Sequence, residues 1–224
     1  MSEKTSEHGS ASSTAFLLCL LIAFGLWFAY CFRLAEMTGF DSLFARRLIG
    51  CLVLLLPAVA FGWSRRADSN YGMAAATRNW VWGVIIGLSA IAVFLVVRWS
   101  DPGFPWPSLD TLATPLGILT VLGLPIAYEL FFRRMVATEL YRLSQKSDGA
   151  RGWDSWIAAV ILSAVICALF QVPDWMVFEE LTPPQMIVKA AKLAGYAAGF
   201  AVFFLVTKSV WSSLLPHWVL AFFE

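Results

Sequence analysis

Long apolar runs, each almost free of charge, recur along nearly the whole chain. A helix rises 1.5 Å per residue, so about 20 apolar residues cross the roughly 30 Å hydrocarbon core of a bilayer. Seven runs are predicted as membrane spans: Thr14–Phe32, Leu48–Ser64, Trp80–Val97, a run from Thr111 to beyond Tyr128, Ser155–Val172, Ala190–Thr207 and Val210–Phe223. The sequence therefore predicts an all-α polytopic transmembrane helical bundle of about seven spans, with six to eight as the range.

The composition favours the same class of protein. Hydrophobic residues make up 59% of the 224 residues and charged residues 14%, whereas soluble domains have roughly 45–50% and about 25%. The formal net charge is +1, which argues against the basic face that a nucleic-acid partner requires. The four cysteines lie inside apolar runs at no repeating spacing, which indicates buried thiols rather than disulfides. The partner predicted from composition is membrane lipid, with no nucleic acid.

The chain divides into a polar N-terminal tail, residues 1–13, and a single membrane-embedded domain, residues 14–224. The first apolar run is too long for the core of a signal peptide, so it is interpreted as an uncleaved span. The connection at residues 101–110, rich in Pro and Trp, is expected at the membrane interface, and residues 172–185 are expected to form a surface segment or partial lid. Ten Lys and Arg lie in segments on the side of the N-terminus against six on the other side, which predicts an N-terminus inside.

Missing motifs exclude several kinds of active site. The chain has two histidines, His8 and His217, and no HExxH sequence, so a zinc site with two His on successive helical turns cannot form. The GxSxG, GxGD and glycine-rich phosphate-binding motifs are absent as well. No metal and no other cofactor is predicted.

The segment PIAYELFFRRMVATEL, residues 125–140, brings charge into an apolar run. Glu129 and Arg133 are four residues apart, so they lie one turn apart on one helix face, where a carboxylate and a guanidinium can pair. A charge at the membrane centre costs roughly 2.5–3.5 kcal/mol on insertion scales, and pairing lowers that cost. In the alternative interpretation, Arg133 and Arg134 are an ordinary positive flank at the end of a span.

Two further segments contain polar residues in apolar surroundings. Gln171 closes an apolar run just before Pro173, which is expected to stop the helix, and His217 lies in the last apolar run. Gln171 can also be an ordinary helix-end group, and His217 a packing residue with a satisfied ring. A functional role requires Glu129, Gln171 and His217 to lie within about 4–8 Å of one another around one cavity.

These three segments, in this order, resemble the CPBP family, which comprises type II CAAX prenyl proteases and bacteriocin-processing or self-immunity membrane proteins. The family motifs are Glu-Glu-xxx-Arg, usually followed by Gly, then Phe-xxx-His, then His-xxx-Asn or His-xxx-Asp. Here residues 128–134 read YELFFRR, residues 167–173 read CALFQVP, and residues 209–221 read SVWSSLLPHWVLA. The resemblance covers about residues 110–224.

The resemblance implies an intramembrane endopeptidase, expected in the bacterial cytoplasmic membrane, with Glu129, His217 and Arg133 as candidate catalytic residues. In the family, the first Glu and the motif-two His activate water, and the motif-three His and Asn steady the oxyanion. Three of these positions are substituted here, by Tyr128, Gln171 and Ala221. A phenol keeps its proton at neutral pH and an amide is no base, so the water-activating pair is replaced.

Three functional hypotheses remain open. The first is hydrolysis of a peptide bond in a membrane-embedded or lipidated peptide by a Glu-activated water. It requires Glu129 as the base, with His217 as acid or oxyanion donor and with Arg133, or Arg134 in a register shifted by one residue, beside it. The second is a catalytically inactive pseudoprotease that binds a membrane or lipidated partner. A small transporter is the weakest of the three, since the spans show no inverted repeat.

Overall fold

The computed structural model describes residues 3–34, 37, 39, 42–64, 79–99, 109–145 and 153–223, and it shows seven helices within them. These are α1 (Glu3–Ala29), α2 (Leu43–Ser64), α3 (Trp80–Trp99), α4 (Pro115–Ser144), α5 (Trp153–Val177), α6 (Pro183–Thr207) and α7 (Trp211–Phe223). A π-helical segment, Tyr30–Leu34, extends α1, and a 3₁₀ turn, Leu109–Ala113, precedes α4. The predicted all-α bundle is confirmed.

Six of the described helices, α1 to α6, are long and apolar enough to cross a membrane. The seventh predicted span forms α7, which has only 13 residues and is therefore about 20 Å long, too short for the hydrocarbon core. Six full spans lie at the lower end of the predicted range. The protein is an integral membrane protein.

The fourth helix, α4, alternates between α-helical and π-helical turns. Its two π-helical segments are Leu119–Gly123 and Glu129–Ala137. Such turns, with hydrogen bonds from i to i+5, are rare and often occur at functional sites. Seven of the nine residues in the second segment are buried, because α4 packs against α2, α5, α6 and α7. The residues of the first candidate motif therefore lie at the centre of the bundle.

The helices α2 and α6 begin five and seven residues earlier than the predicted spans, because capping groups start them ahead of the charged residues. The Ser42 hydroxyl accepts a hydrogen bond from the Ala45 amide, 3.2 Å away, at the start of α2. At the start of α6, Thr182 and Gln185 form a capping box around Pro183, a favoured first helical residue. As a result, the cations that the sequence placed in loops, Arg46, Arg47, Lys189 and Lys192, lie inside helices.

The predicted helix stop at Pro173 is wrong, since α5 continues to Val177. A proline inside a helix removes one hydrogen bond, and here the turn around it is held by burial of Asp174 and Trp175. Residues 172–185 are therefore not a lid but the end of α5, a turn at 178–182 and the start of α6. Residues 101–108 of the other connection lie outside the described residues, whereas the polar tail from Glu3 onward belongs to α1.

The short helix α7 is seated against α3 through a glycine contact. A Cβ atom at Gly83 would lie 2.3 Å from Ser209 Oγ and 2.6 Å from Ser209 Cβ. Ser209 is fully buried just before α7 begins, so it has little room to move. Only a residue without a side chain fits at position 83.

Gly83→Ala is expected to destabilise the protein by about 1–3 kcal/mol, because overpacking forces the contact apart. Gly25→Ala is the matched control, since it is also helical but has nothing within 4 Å of the added Cβ; its greater helix propensity predicts a gain of about 0.5–1 kcal/mol. Thermal unfolding of the purified protein in detergent measures both. Equal effects of the two substitutions would contradict this seating of α7.

Candidate functional site

The acid of α4 and the imidazole of α7 are in direct contact. His217 Nδ1 lies 2.9 Å from Glu129 Oε1, and the Ser213 hydroxyl donates a hydrogen bond to Glu129 Oε2. Glu129 itself is 0% exposed. The two residues are 88 positions apart in the sequence, and the fold places them in one buried hydrogen-bonded cluster.

Ser213 is a member of this cluster that the sequence analysis did not select. It appeared there only within the flank that precedes His217. A signal was present, because residues four apart share one face of a helix, so Ser213 had to lie beside His217. Nothing in the local sequence indicated that it would face an acid from another helix.

Arg133 completes the buried cluster. Its Nε atom lies 4.0 Å from Glu129 Oε2, and its side chain is 2% exposed. Arg133 is thus a buried group within the 30-residue helix α4 rather than an exposed cation. Its Nε and Nη1 atoms are buried and make no hydrogen bond within the described part of the chain.

The ring of His217 is held by aromatic neighbours as well as by Glu129. It stacks on Phe200, with centroids 5.1 Å apart, and meets the edge of Tyr128 at 5.9 Å. An ionised Glu129 accepts this hydrogen bond, and Nδ1 then carries the proton. In that neutral tautomer Nε2 keeps its lone pair, on a side chain that is 21% exposed.

A cavity of about 380 Å³ lies next to this cluster. Its wall includes five of the six predicted site positions, namely Tyr128, Arg133, Gln171, His217 and Ala221. Glu129 is the exception, because it lies behind His217 and does not line the cavity. The expected proximity of Glu129 and His217 is confirmed at 2.9 Å, and Gln171 shares the cavity with His217, whereas the expectation that Glu129 also faces this cavity is wrong.

The wall of the cavity offers few groups for acid–base chemistry. Two carboxylates line it, Asp174 and Glu179, and these are paired with Arg46 and Lys189 respectively. Among the described residues, no group of three His, Cys, Asp or Glu could hold a metal ion. The group in the wall that is best suited to accept a proton is the imidazole of His217.

Within the described residues, the apolar helices thus enclose a buried Glu–Arg–His cluster beside a cavity. The model of one protein family, described as type II CAAX prenyl endopeptidase Rce1-like, matches residues 110–223, about half of the chain. The chain therefore belongs to the Rce1-like family of type II CAAX prenyl endopeptidases. This confirms the resemblance found in its motifs and a CAAX-protease-like character at the level of the family.

Comparison with curated proteins and with solved structures finds no match. The family assignment thus rests on the matched half of the chain, which begins just before α4 and includes every residue of the Glu–Arg–His cluster.

Proposed function

We propose that this chain is a non-catalytic member of its family that uses the cavity to bind a membrane-embedded or lipidated peptide. The observation that carries the proposal is the position of Glu129, which is fully buried with both carboxylate oxygens engaged. A general base must come within about 2.6–3.2 Å of the proton it removes, directly or through one water. Glu129 has no face on the cavity from which to reach a water there.

The other substituted positions support a binding role. Gln171 and Ala221 line the cavity, where an amide is no base and a methyl group cannot donate a hydrogen bond to an oxyanion. The cavity has a volume of about 380 Å³, which falls within the roughly 300–1,000 Å³ of ordinary ligand pockets. The site thus has the space for a ligand but lacks the groups that would perform the reaction.

The test combines binding and cleavage of a fluorescent lipidated peptide by the purified protein in liposomes. The wild-type protein is expected to bind the peptide without cutting it. Substituting Tyr128→Glu, Gln171→His and Ala221→Asn together is expected to create cleavage. The matched control carries Tyr128→Gln with the other two substitutions, and its rate should be about 10²–10⁴ lower because it lacks the acid.

Cleavage by the wild-type protein would overturn this proposal and favour a second candidate, an endopeptidase. The observation that favours the second candidate is the Glu129–His217 contact. It engages Nδ1 of the ring, so that Nε2 is the nitrogen that can act on a ligand in the cavity, which His217 lines. In this mechanism Nε2 takes a proton from water, and the resulting hydroxide attacks the peptide carbonyl while Glu129 orients the ring. The tetrahedral intermediate then collapses with cleavage of the C–N bond, and the imidazolium returns its proton to the leaving amine. His217→Ala would then abolish cleavage, and Glu129→Gln would slow it.

We also propose that the protein resides in a bacterial cytoplasmic membrane with its N-terminus inside. The distribution of Lys and Arg supports this orientation, although Arg133 must be removed from the count because it is buried within α4. Protease accessibility of an N-terminal tag in inverted vesicles tests it. Protection of the tag in those vesicles would contradict the orientation.

A further inference from the structure

The cavity contains more positive charge than its own acids neutralise. Four cationic side chains line it, Arg47, Arg133, Lys189 and Lys192, against two acids, Asp174 and Glu179. Glu179 pairs with Lys189, and Asp174 pairs at 3.7 Å with Arg46, which lies outside this wall. Within the described ranges, neither Arg47 nor Lys192 forms an ion pair, although Arg47 acts on Asp174 from further away. The ion-pair partner of Arg133 is the carboxylate of Glu129, which it shares with His217.

The two arginines also have buried donors without acceptors. The Nε and Nη1 atoms of Arg133 and the Nε atom of Arg47 are buried and lack a hydrogen bond to any described residue. Arginine carries five N–H donors, and each buried donor that stays unsatisfied costs about 1–3 kcal/mol. Because Arg133 is 2% exposed and lines the cavity, an acceptor placed in the cavity would relieve this cost.

The deeper part of the same wall is apolar. Along α6, Lys192 is followed eight residues later by Phe200, which places them about 12 Å apart along the helix axis. Leu193 and, from α7, Leu220 also line the cavity. The cavity therefore offers cations near the starts of α2 and α6 and hydrocarbon contacts further along.

We propose that this cavity binds an anionic amphiphile, with a carboxylate or phosphate head on Arg47, Lys192 and Arg133 and a hydrocarbon chain along Leu193, Phe200 and Leu220. The proposal rests on the proposed binding function and names the class of ligand that the site accepts. Charge-assisted hydrogen bonds from guanidinium to these anions are about twice as strong as neutral ones. A carboxylate or phosphate without a hydrocarbon chain makes no contact with the apolar wall and is therefore expected to bind more weakly.

The test measures the rise in melting temperature of the full-length protein in an uncharged maltoside detergent as ligand is added. The probes are laurate and dodecyl phosphate, compared with dodecanol, which has the chain without the charge, and with acetate and inorganic phosphate, which have the charge without the chain. Laurate, dodecyl phosphate or both are expected to bind at least tenfold more tightly than the other three. Preference between laurate and dodecyl phosphate identifies the head group.

Variants of the cations locate the binding. Arg47→Gln and Lys192→Gln are each expected to weaken binding of the preferred amphiphile about 10- to 100-fold, since each removes a charged donor. Lys192 is exposed, so its variant is expected to fold even if the Arg47 variant does not. Arg33→Gln is the matched control, because Arg33 is an exposed cation that does not line the cavity, and its affinity should equal that of the wild type.

Three results would overturn the inference: binding of dodecanol as tight as that of the anions, equally tight binding of acetate or inorganic phosphate, or an equal loss of affinity in Arg33→Gln and Lys192→Gln. These results are independent of peptide cleavage. Cleavage by the wild-type protein would refute the non-catalytic function while leaving the ligand measurement intact.

Discussion

Glu129→Leu is expected to destabilise the protein by about 3–5 kcal/mol, the largest loss expected from any single substitution considered for this chain. The change leaves the guanidinium of Arg133 buried without its carboxylate, 4.0 Å away in the native protein, and an uncompensated buried charge is far more costly than a missing pair. It also removes the acceptor of the Ser213 and His217 hydrogen bonds. Chemical denaturation in detergent micelles gives the free energy of unfolding.

Two further variants distinguish the cost of leaving the Arg133 charge buried without a partner from the cost of removing an acid. The double variant Glu129→Leu/Arg133→Met is expected to regain most of the lost stability, since apolar residues often replace a buried ion pair at little cost. Glu179→Leu removes an acid from a partly exposed pair with Lys189 and should cost less than about 1 kcal/mol. If Glu129→Leu lowered the free energy of unfolding no more than Glu179→Leu, the result would contradict a buried ion pair between Glu129 and Arg133.

The second large effect is expected from Phe170→Ala. Phe170 is 1% exposed, stacks on Trp27 with centroids 5.6 Å apart, and meets Phe132 edge-on at 5.8 Å. Truncation opens a cavity at the junction of α1, α4 and α5, next to Gln171. The expected loss lies at the low end of the roughly 3–5 kcal/mol measured for such truncations, because the unfolded chain remains in an apolar solvent and loses mainly packing contacts.

Leu169→Ala is the matched control for this prediction. Leu169 is the preceding residue on the same helix, but it is 54% exposed and faces away from the core. Its truncation should change the melting temperature little, since a leucine in contact with lipid has no packed partner to lose. Equal shifts for the two variants would mean that the face of α5 has been assigned wrongly.

The spans of this fold were predictable because the apolar runs alone record which segments enter the membrane. The helix starts were not, since the charge of Arg47 and Lys189 was taken as the edge of a span. Both side chains instead line the cavity, where a cation is tolerated within a helix. Capping residues such as Ser42 and Thr182 marked the true starts and were the signal that the charge pattern obscured.

Of the contacts in the candidate site, the sequence predicts those within one helix but not those between helices. The pairing of Glu129 with Arg133 follows from helical spacing, whereas the contact of Glu129 with His217 joins residues 88 positions apart and cannot be derived from local periodicity. It came instead from the order of the three motifs. The π-helical turn that begins at Glu129 left no recognisable pattern in the sequence, although it determines which side chains of α4 face α7.

The contact between Glu129 and His217 is tested most directly by nitrogen NMR of the imidazole. The chain has two histidines, so His8→Gln leaves His217 as the one imidazole in the spectrum. The structure predicts a ring protonated at Nδ1, with a hydrogen-bonded proton signal that is strongly shifted in Glu129→Gln and changed less in Ser213→Ala. A spectrum typical of a freely exchanging imidazole, identical in all three proteins, would contradict the central claim that the fold joins this acid and this histidine in one buried cluster.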